Sequence, residues 1–284
     1  MTATDRQPTA PSGGPSVEPL DVPPPLPAHR VEWRRAVRAL RALLADPEQT
    51  EKAFEVFLAL DGGQDERMFQ RLVSTPQGRR LAAERPSLLD RLSDRAALAA
   101  LPDDSFGRAY VAYLDRAGFA PGGLVRLKEQ METRAHSIGE QLPVLDPLRE
   151  WLRVRGIVMH DLWHVLTDYG TDGFGEAALL AFSHAQLPGR ASGLLVVGAA
   201  LRCVAEYGVG FVPYLFRAWR RGRGAAWLPA LPYESLLAEP LTAVRQFAAI
   251  MPAEQAHPGG ILSDPLAAER KAARHIGAAG EAWE

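Results

Sequence analysis

The 284-residue chain has one cysteine, Cys203, so an intramolecular disulfide and a cysteine-rich zinc fold are both excluded, and any bound metal needs histidine and carboxylate ligands. It also has no excess of charge of one sign. Lys+Arg 32 against Asp+Glu 34 gives a net charge of −2, which removes the electrostatic footprint of a protein that grips nucleic acid along its length. Long apolar runs are missing too. The most apolar stretch, Ala191 to Phe216, carries Arg202 and Glu206 and is broken by Gly208, Gly210 and Pro213, so no membrane-spanning helix is expected. Met1 to Arg30 has no apolar segment of the kind a secretory signal requires, and none is expected there. No segment alternates with period two, and no repeat recurs at a fixed period. With 47% hydrophobic and 23% charged residues, the chain has the composition of a protein with a sizeable core.

Three regions are expected. Residues 1–28 hold eight of the 23 prolines, with Ser, Thr and Gly, and read as a disordered tail. Residues 29–250 read as one all-α, multi-helix domain: Trp33, Val37, Leu40 and Leu44 recur at helical spacing, as do Phe54, Phe57 and Leu58, then Phe69, Leu72 and Val73. Residues 251–284 read as a loosely ordered C-terminal tail, with a weak helical pattern over Pro265 to His275. Ser74, Ser87 and Asp103 are candidate helix caps. Asp146 before Pro147 predicts a long helix from Pro147 to about Tyr169, stopping at Gly170. A second helix is expected from near Gly175 to Pro188-Gly189, and a third over Ala191 to Tyr207.

The long helix carries His160-Asp161-Leu162-Trp163-His164. At about 100° per residue these three polar side chains point to roughly 0°, 100° and 40°, inside one arc. A histidine pair at i, i+4 can chelate one divalent ion, and the carboxylate of Asp161 either joins it or orients an imidazole. Glu176 supplies a third element, because the turn from Gly170 to Gly175 folds the next helix back towards the pair. These residues form a predicted metal-binding helix pair. Asp168 and Asp172 are spare acidic candidates, and His184, about 80° round its helix from Glu176, is left outside the site.

Two other motifs share these letters. The zincin pattern His-Glu-x-x-His has the same spacing, but Asp161 replaces its general-base Glu and is one methylene shorter, which disfavours hydrolysis. The His-Asp phosphohydrolases need two further ligands; His136 is a candidate for one, and nothing marks the other. Elsewhere, Phe216 to Arg223 and Trp227 place four arginines and several aromatics beside an apolar helix, which suits either an anionic membrane surface or a solvated basic helix end. The small-residue run from Ala191 to Leu201 lets a chain or another helix approach closely, and ordinary tight helix packing is the first expectation for it.

His160-Asp161-x-x-His164, eleven residues and then Glu176 resembles the motif of the Coq4 family of ubiquinone (coenzyme Q) biosynthesis proteins. The whole run Arg155 to Glu176 is similar to that family, as are Tyr233-Glu234-Ser-Leu-Leu, Pro240-Leu241-x-x-Val244-Arg245, the segment Phe69 to Leu101 and Gly107-Arg-Ala-Tyr110. The resemblance covers roughly residues 54–250 and departs at Ala248-Ala249-Ile250, where the family often has Leu-Gly-Ile. It implies that His160, Asp161, His164 and Glu176 ligate a divalent metal, zinc foremost; of the two carboxylates, either of which could relay a proton when not tightly bound, Asp161 is the catalytic candidate. It further implies a lyase that removes the C1 carboxylate of a polyprenylated hydroxybenzoate, with hydroxylation at that carbon. The implied partners are that prenylated benzenoid, other ubiquinone biosynthesis enzymes and a membrane surface, with no nucleic acid, and exposed apolar helix faces favour a homodimer. The implied location is cytoplasmic, peripheral on the inner face of the cytoplasmic membrane. A different class of reading is a non-catalytic, lipid-binding scaffold that organises the biosynthetic complex.

Overall fold

The computed structural model describes residues 20–264 apart from 48, 141 and 143. Expectations for residues 1–19 and for Pro265 to His275 lie outside the described residues. Those described form a single all-α domain with no strand, only an isolated antiparallel bridge between Ser105 and Pro240. Eight helices precede the motif: α1 (Trp33–Ala45), α2 (Thr50–Leu60), α3 (Gln64–Val73), α4 (Pro76–Glu84), α5 (Leu88–Ser93), α6 (Arg95–Ala99), α7 (Phe106–Ala117) and α8 (Gly123–Ser137). The motif lies on α9 (Pro147–Thr167) and α10 (Gly173–Gln186), followed by α11 (Arg190–Tyr207) and α12 (Phe211–Gly224). Three short helices, α13 (Tyr233–Leu236), α14 (Leu241–Phe247) and α15 (Ala253–Ala256), complete the fold.

Side-chain caps set several helix starts. Asp146 caps α9 through Leu148 N and Arg149 N, with Pro147 in the first turn, and Ser87 caps α5 through Asp90 N. Two expected caps are displaced. Ser74 closes α3, and the extended Thr75 caps α4 instead, because Pro76 favours an extended residue before it. Ser105 caps α7, while Asp103 pairs with Arg108 at 2.9 Å. Helix α9 stops at Thr167, short of Gly170, with Asp168 in the left-handed region at φ 62. Asp tolerates that conformation better than most side chains, and Arg245 holds its carboxylate at 2.5 Å.

The main core packs α7, α9, α10 and α12 around Phe106, Tyr110, Leu162, Leu166 and Phe182, with the segment 228–250 closing over it. A second cluster joins α1, α2 and α11; a third joins α3, α4 and the start of α9. The small face of α11 is used in this packing: Ala191 and Leu195 are buried in the second cluster, and a Cβ at Gly198 would stand 2.7 Å from Leu40 Cδ1. Residues 20–32 precede the first helix, and Arg149 donates to the carbonyl of Pro24 at 3.0 Å. Residues 251–264 are fastened at several points, including Arg221 Nε to Met251 O (2.7 Å) and Tyr207 to Asp264 (2.9 Å). Among the described residues, no helix is long and apolar enough to cross a membrane.

Candidate metal centre

The site lies where the C-terminal half of α9 meets the first turn of α10. The turn between them is tight: a Cβ on Gly175 would stand 2.0 Å from the carbonyl oxygen of Gly170, so only glycine admits this approach. Asp172 caps α10 through Phe174 N and Gly175 N, and Glu176, in the first turn of that helix, faces α9. Asp168 and Asp172, the spare candidates, are thus engaged elsewhere.

His160, His164 and Glu176 come together, each offering one ligand atom, with all three atoms within 4.8 Å of one another. Nε2 of His164 lies 3.3 Å from Glu176 Oε1, and Nε2 of His160 lies 3.8 Å from Oε2. The opposite nitrogen of His164, Nδ1, is 2.9 Å from the carbonyl of Tyr169. A carbonyl only accepts, so Nδ1 carries the proton and a neutral ring leaves Nε2 a bare lone pair facing the carboxylate. That Nε2 is buried and has no hydrogen-bond partner. Two lone-pair nitrogens converging with a carboxylate oxygen form the donor set of a divalent transition metal, and three protein ligands leave further positions open. The residues present fit such an ion.

Asp161 stands apart from this trio, its Oδ1 3.5 Å from His160 Nδ1. Its placement matches the orienting role. Partial burial would lower the pKa of His160, but the carboxylates of Asp161 and Glu176 raise it above the ordinary imidazole value. Burial would likewise raise Glu176, and His164 and His160, in their protonated forms, hold it below the usual carboxylate range. His184 contacts Ser192 at 2.8 Å, and His136 contacts the Glu132 carbonyl on the far helix α8; neither joins the cluster. Cys203 is buried, and burial pushes its thiol up to about 11.

Several residues outside the His-Asp-x-x-His motif also shape the site. Tyr113 on α7 stacks on the His164 ring, centroids 5.5 Å apart and planes at 20°. Arg245 donates to the carbonyls of Leu166 (3.0 Å) and Val165 (2.9 Å), and Arg221 to that of Thr167 (2.6 Å). These guanidinium groups satisfy carbonyls that the end of α9 leaves without helical partners. Arg155 is buried and pairs with Glu234, while Trp163 Nε1 donates to Tyr233 Oη at 2.9 Å. The segment 231–245 therefore clamps the motif helix along its length.

A family model described as "Coenzyme Q (ubiquinone) biosynthesis protein Coq4" matches residues 46–131 and 144–254. Curated relatives include a mitochondrial ubiquinone biosynthesis protein coq4 of Aspergillus terreus, 28% identical over 63% of this chain and 58% of its own length. A counterpart in Mycosarcoma maydis is 28% identical over 72% of this chain and 51% of its own. The chain thus spans little more than half of these relatives. A crystal structure of a protein assigned to ubiquinone biosynthesis in Nostoc punctiforme shares the fold, with a TM-score of 0.55 and 23% identity over 78% of this chain and all of that one. With both motif helices inside the matched residues, the chain belongs to the Coq4 family of coenzyme Q (ubiquinone) biosynthesis proteins.

Proposed function

We propose that the protein acts in ubiquinone biosynthesis, removing the C1 carboxylate of a polyprenylated hydroxybenzoate, with hydroxylation at the same carbon. The observation that carries this reading is the buried, unpartnered Nε2 of His164 facing Glu176 beside His160, within a chain of this family. His160, His164 and Glu176 would hold a divalent ion, zinc being our first choice, and such an ion supplies Lewis-acid stabilisation of negative charge left on a ring as carbon dioxide departs. The C1–carboxylate bond breaks with its electron pair remaining on the ring, and a two-electron oxidant that donates an oxygen atom, of the dioxygen or peroxide class, is a co-reactant that supplies the hydroxyl oxygen. Asp161, beside His160 Nδ1, is the residue we assign to holding or moving a proton.

Docking on an anionic membrane face, in our reading the inner face of the cytoplasmic membrane, is supported by exposed Val209, Val212 and Phe216 beside exposed Arg217, Arg220 and Arg223. The same patch favours the second reading, a lipid-binding scaffold for other ubiquinone biosynthesis enzymes. One experiment separates the two: mass spectrometry of prenylated benzenoids in cells lacking the gene, rescued with wild type or with His160→Ala/His164→Ala. A variant present at normal levels that leaves a carboxylated precursor accumulating supports the enzyme. Full restoration of quinone by the variant overturns it in favour of the scaffold.

A further inference from the structure

Residues 20–27 read Leu-Asp-Val-Pro-Pro-Pro-Leu-Pro and lie before the residues that the family model matches. The proline rings at 23, 24, 25 and 27 fix φ at about −65°. Val22, Pro23, Pro24 and Leu26 each precede a proline, which pushes them towards extended or polyproline II conformations. A polyproline II helix repeats every three residues and leaves its carbonyls without internal hydrogen bonds. Both properties are visible here. Leu20, Pro23 and Leu26 are half-buried, whereas Asp21, Val22, Pro24, Pro25 and Pro27 are exposed. The surface beneath them is built mainly by α3 and α9. Leu20, Met68, Trp151 and Trp227 pack against the cluster that includes Phe69 and Leu152. Arg149, 5% exposed, is held by Glu66 and Asp146 at 2.6 Å each and lies 4.4 Å over the Phe69 ring, and its Nη2 donates to the carbonyl of Pro24 at 3.0 Å. A fixed guanidinium among aromatic rings, facing a free main-chain carbonyl, is the chemistry by which grooves recognise proline-rich segments.

We propose that this face is a polyproline-recognition site, filled in cis by residues 20–26 and able to take a separate proline-rich segment with an apolar residue at every third position. Six residues, 27–32, tether the filling segment to α1. Such a short tether gives it an effective concentration of about millimolar. The chain's own segment is therefore a built-in competitor that an outside ligand must displace. The inference is independent of the metal centre.

The test follows the indole N–H signals of Trp151 and Trp227 by two-dimensional NMR of the full chain, with thermal melts by circular dichroism. Leu20→Ser/Leu26→Ser removes two inward side chains and is expected to shift both signals. Val22→Ser/Pro25→Ala changes two outward ones and is expected to leave the signals at the wild-type positions. A synthetic peptide of residues 20–28 added to the first variant should return its signals to those positions, and the same peptide with serine at 20 and 26 should not. Wild type should need at least about tenfold more peptide to respond, because its groove is already filled. Where the inward double variant melts well below wild type, Leu20→Ser alone serves, with shifts in the same direction and of smaller amplitude. Equal shifts in the inward and outward variants would overturn the three-residue register. No return of the signals with peptide would overturn recognition of a separate segment, and an equal response of wild type and variant would show that residues 20–26 do not fill the site.

Discussion

Nδ1 of His164 donates to the backbone carbonyl of Tyr169, five residues on and just past the end of α9, at 2.9 Å. The early stop of the helix at Thr167 turns that carbonyl back onto the ring, and the tautomer it selects aims Nε2 at Glu176. Because the acceptor is main chain, Tyr169→Phe is expected to leave Co²⁺ affinity within about twofold of wild type, whereas His164→Ala lowers it by about 100-fold or more. Isothermal titration of both variants checks the contrast; equal losses would show that the carbonyl does not set the ring.

The approach of Gly175 to Gly170 gives a second test. Gly175→Ala drives a Cβ into the Gly170 carbonyl, and overpacking of this kind costs about 1–3 kcal/mol. Its metal affinity should fall as well, because Glu176 moves with the turn. Gly173→Ala, two residues earlier, meets nothing closer than 3.9 Å and should melt within about 2 °C of wild type. Thermal melts of the pair decide whether the close approach or helix propensity controls this turn.

Ala249, in the sequence Ala248-Ala249-Ile250, occupies the left-handed region at φ 51. A residue with a Cβ is strained there, and glycine is not. Ala249→Gly is therefore expected to stabilise the protein by about 0.5–1 kcal/mol, seen as a higher midpoint in urea. A lower midpoint would show that the loss of chain stiffness outweighs the strain relieved.

Buried Arg155 pairs with the partly buried Glu234 from positions 79 residues apart and also donates to Leu231 O at 2.8 Å. Glu234→Gln leaves the guanidinium buried beside a neutral amide, and removal of one partner from such a pair costs about 3–5 kcal/mol. A large fall in the urea midpoint is expected, and a change below about 1 kcal/mol would mean that water reaches the guanidinium in the variant.

His257 reads out acid sensitivity. It is 2% exposed, contacts the Tyr169 hydroxyl at 2.8 Å and packs against Tyr214. Burial and the charges of Arg221 and Arg217 lower its pKa to about 4. Above about pH 6.5 neither the folded nor the unfolded imidazole is charged, and the group makes no pH-dependent difference. Between about 6.5 and 4 the unfolded chain binds a proton that the folded one refuses, so stability falls with pH by up to about 3 kcal/mol. Denaturant curves across this range should flatten in His257→Gln; an unchanged slope would assign the acid sensitivity to other groups.

The motif could be read from sequence because its geometry is local. A 3.6-residue period places His160 and His164 on one face, Asp146-Pro147 starts their helix, and a glycine-rich turn returns Glu176. The helical periodicity and the absence of alternation likewise determined the all-α class. The role of Asp161 was open at that level: its helical angle allowed ligation or support, and only the folded chain puts its carboxylate on the Nδ1 side of His160. Tyr113, Arg221, Arg245 and the Arg155–Glu234 pair could not be assigned from spacing either, because each reaches the motif helix from 50 to 80 residues away. Local pattern determines which face of a helix is polar; which distant side chain closes over that face is decided by tertiary packing, since contacts between remote segments leave no periodicity in the chain.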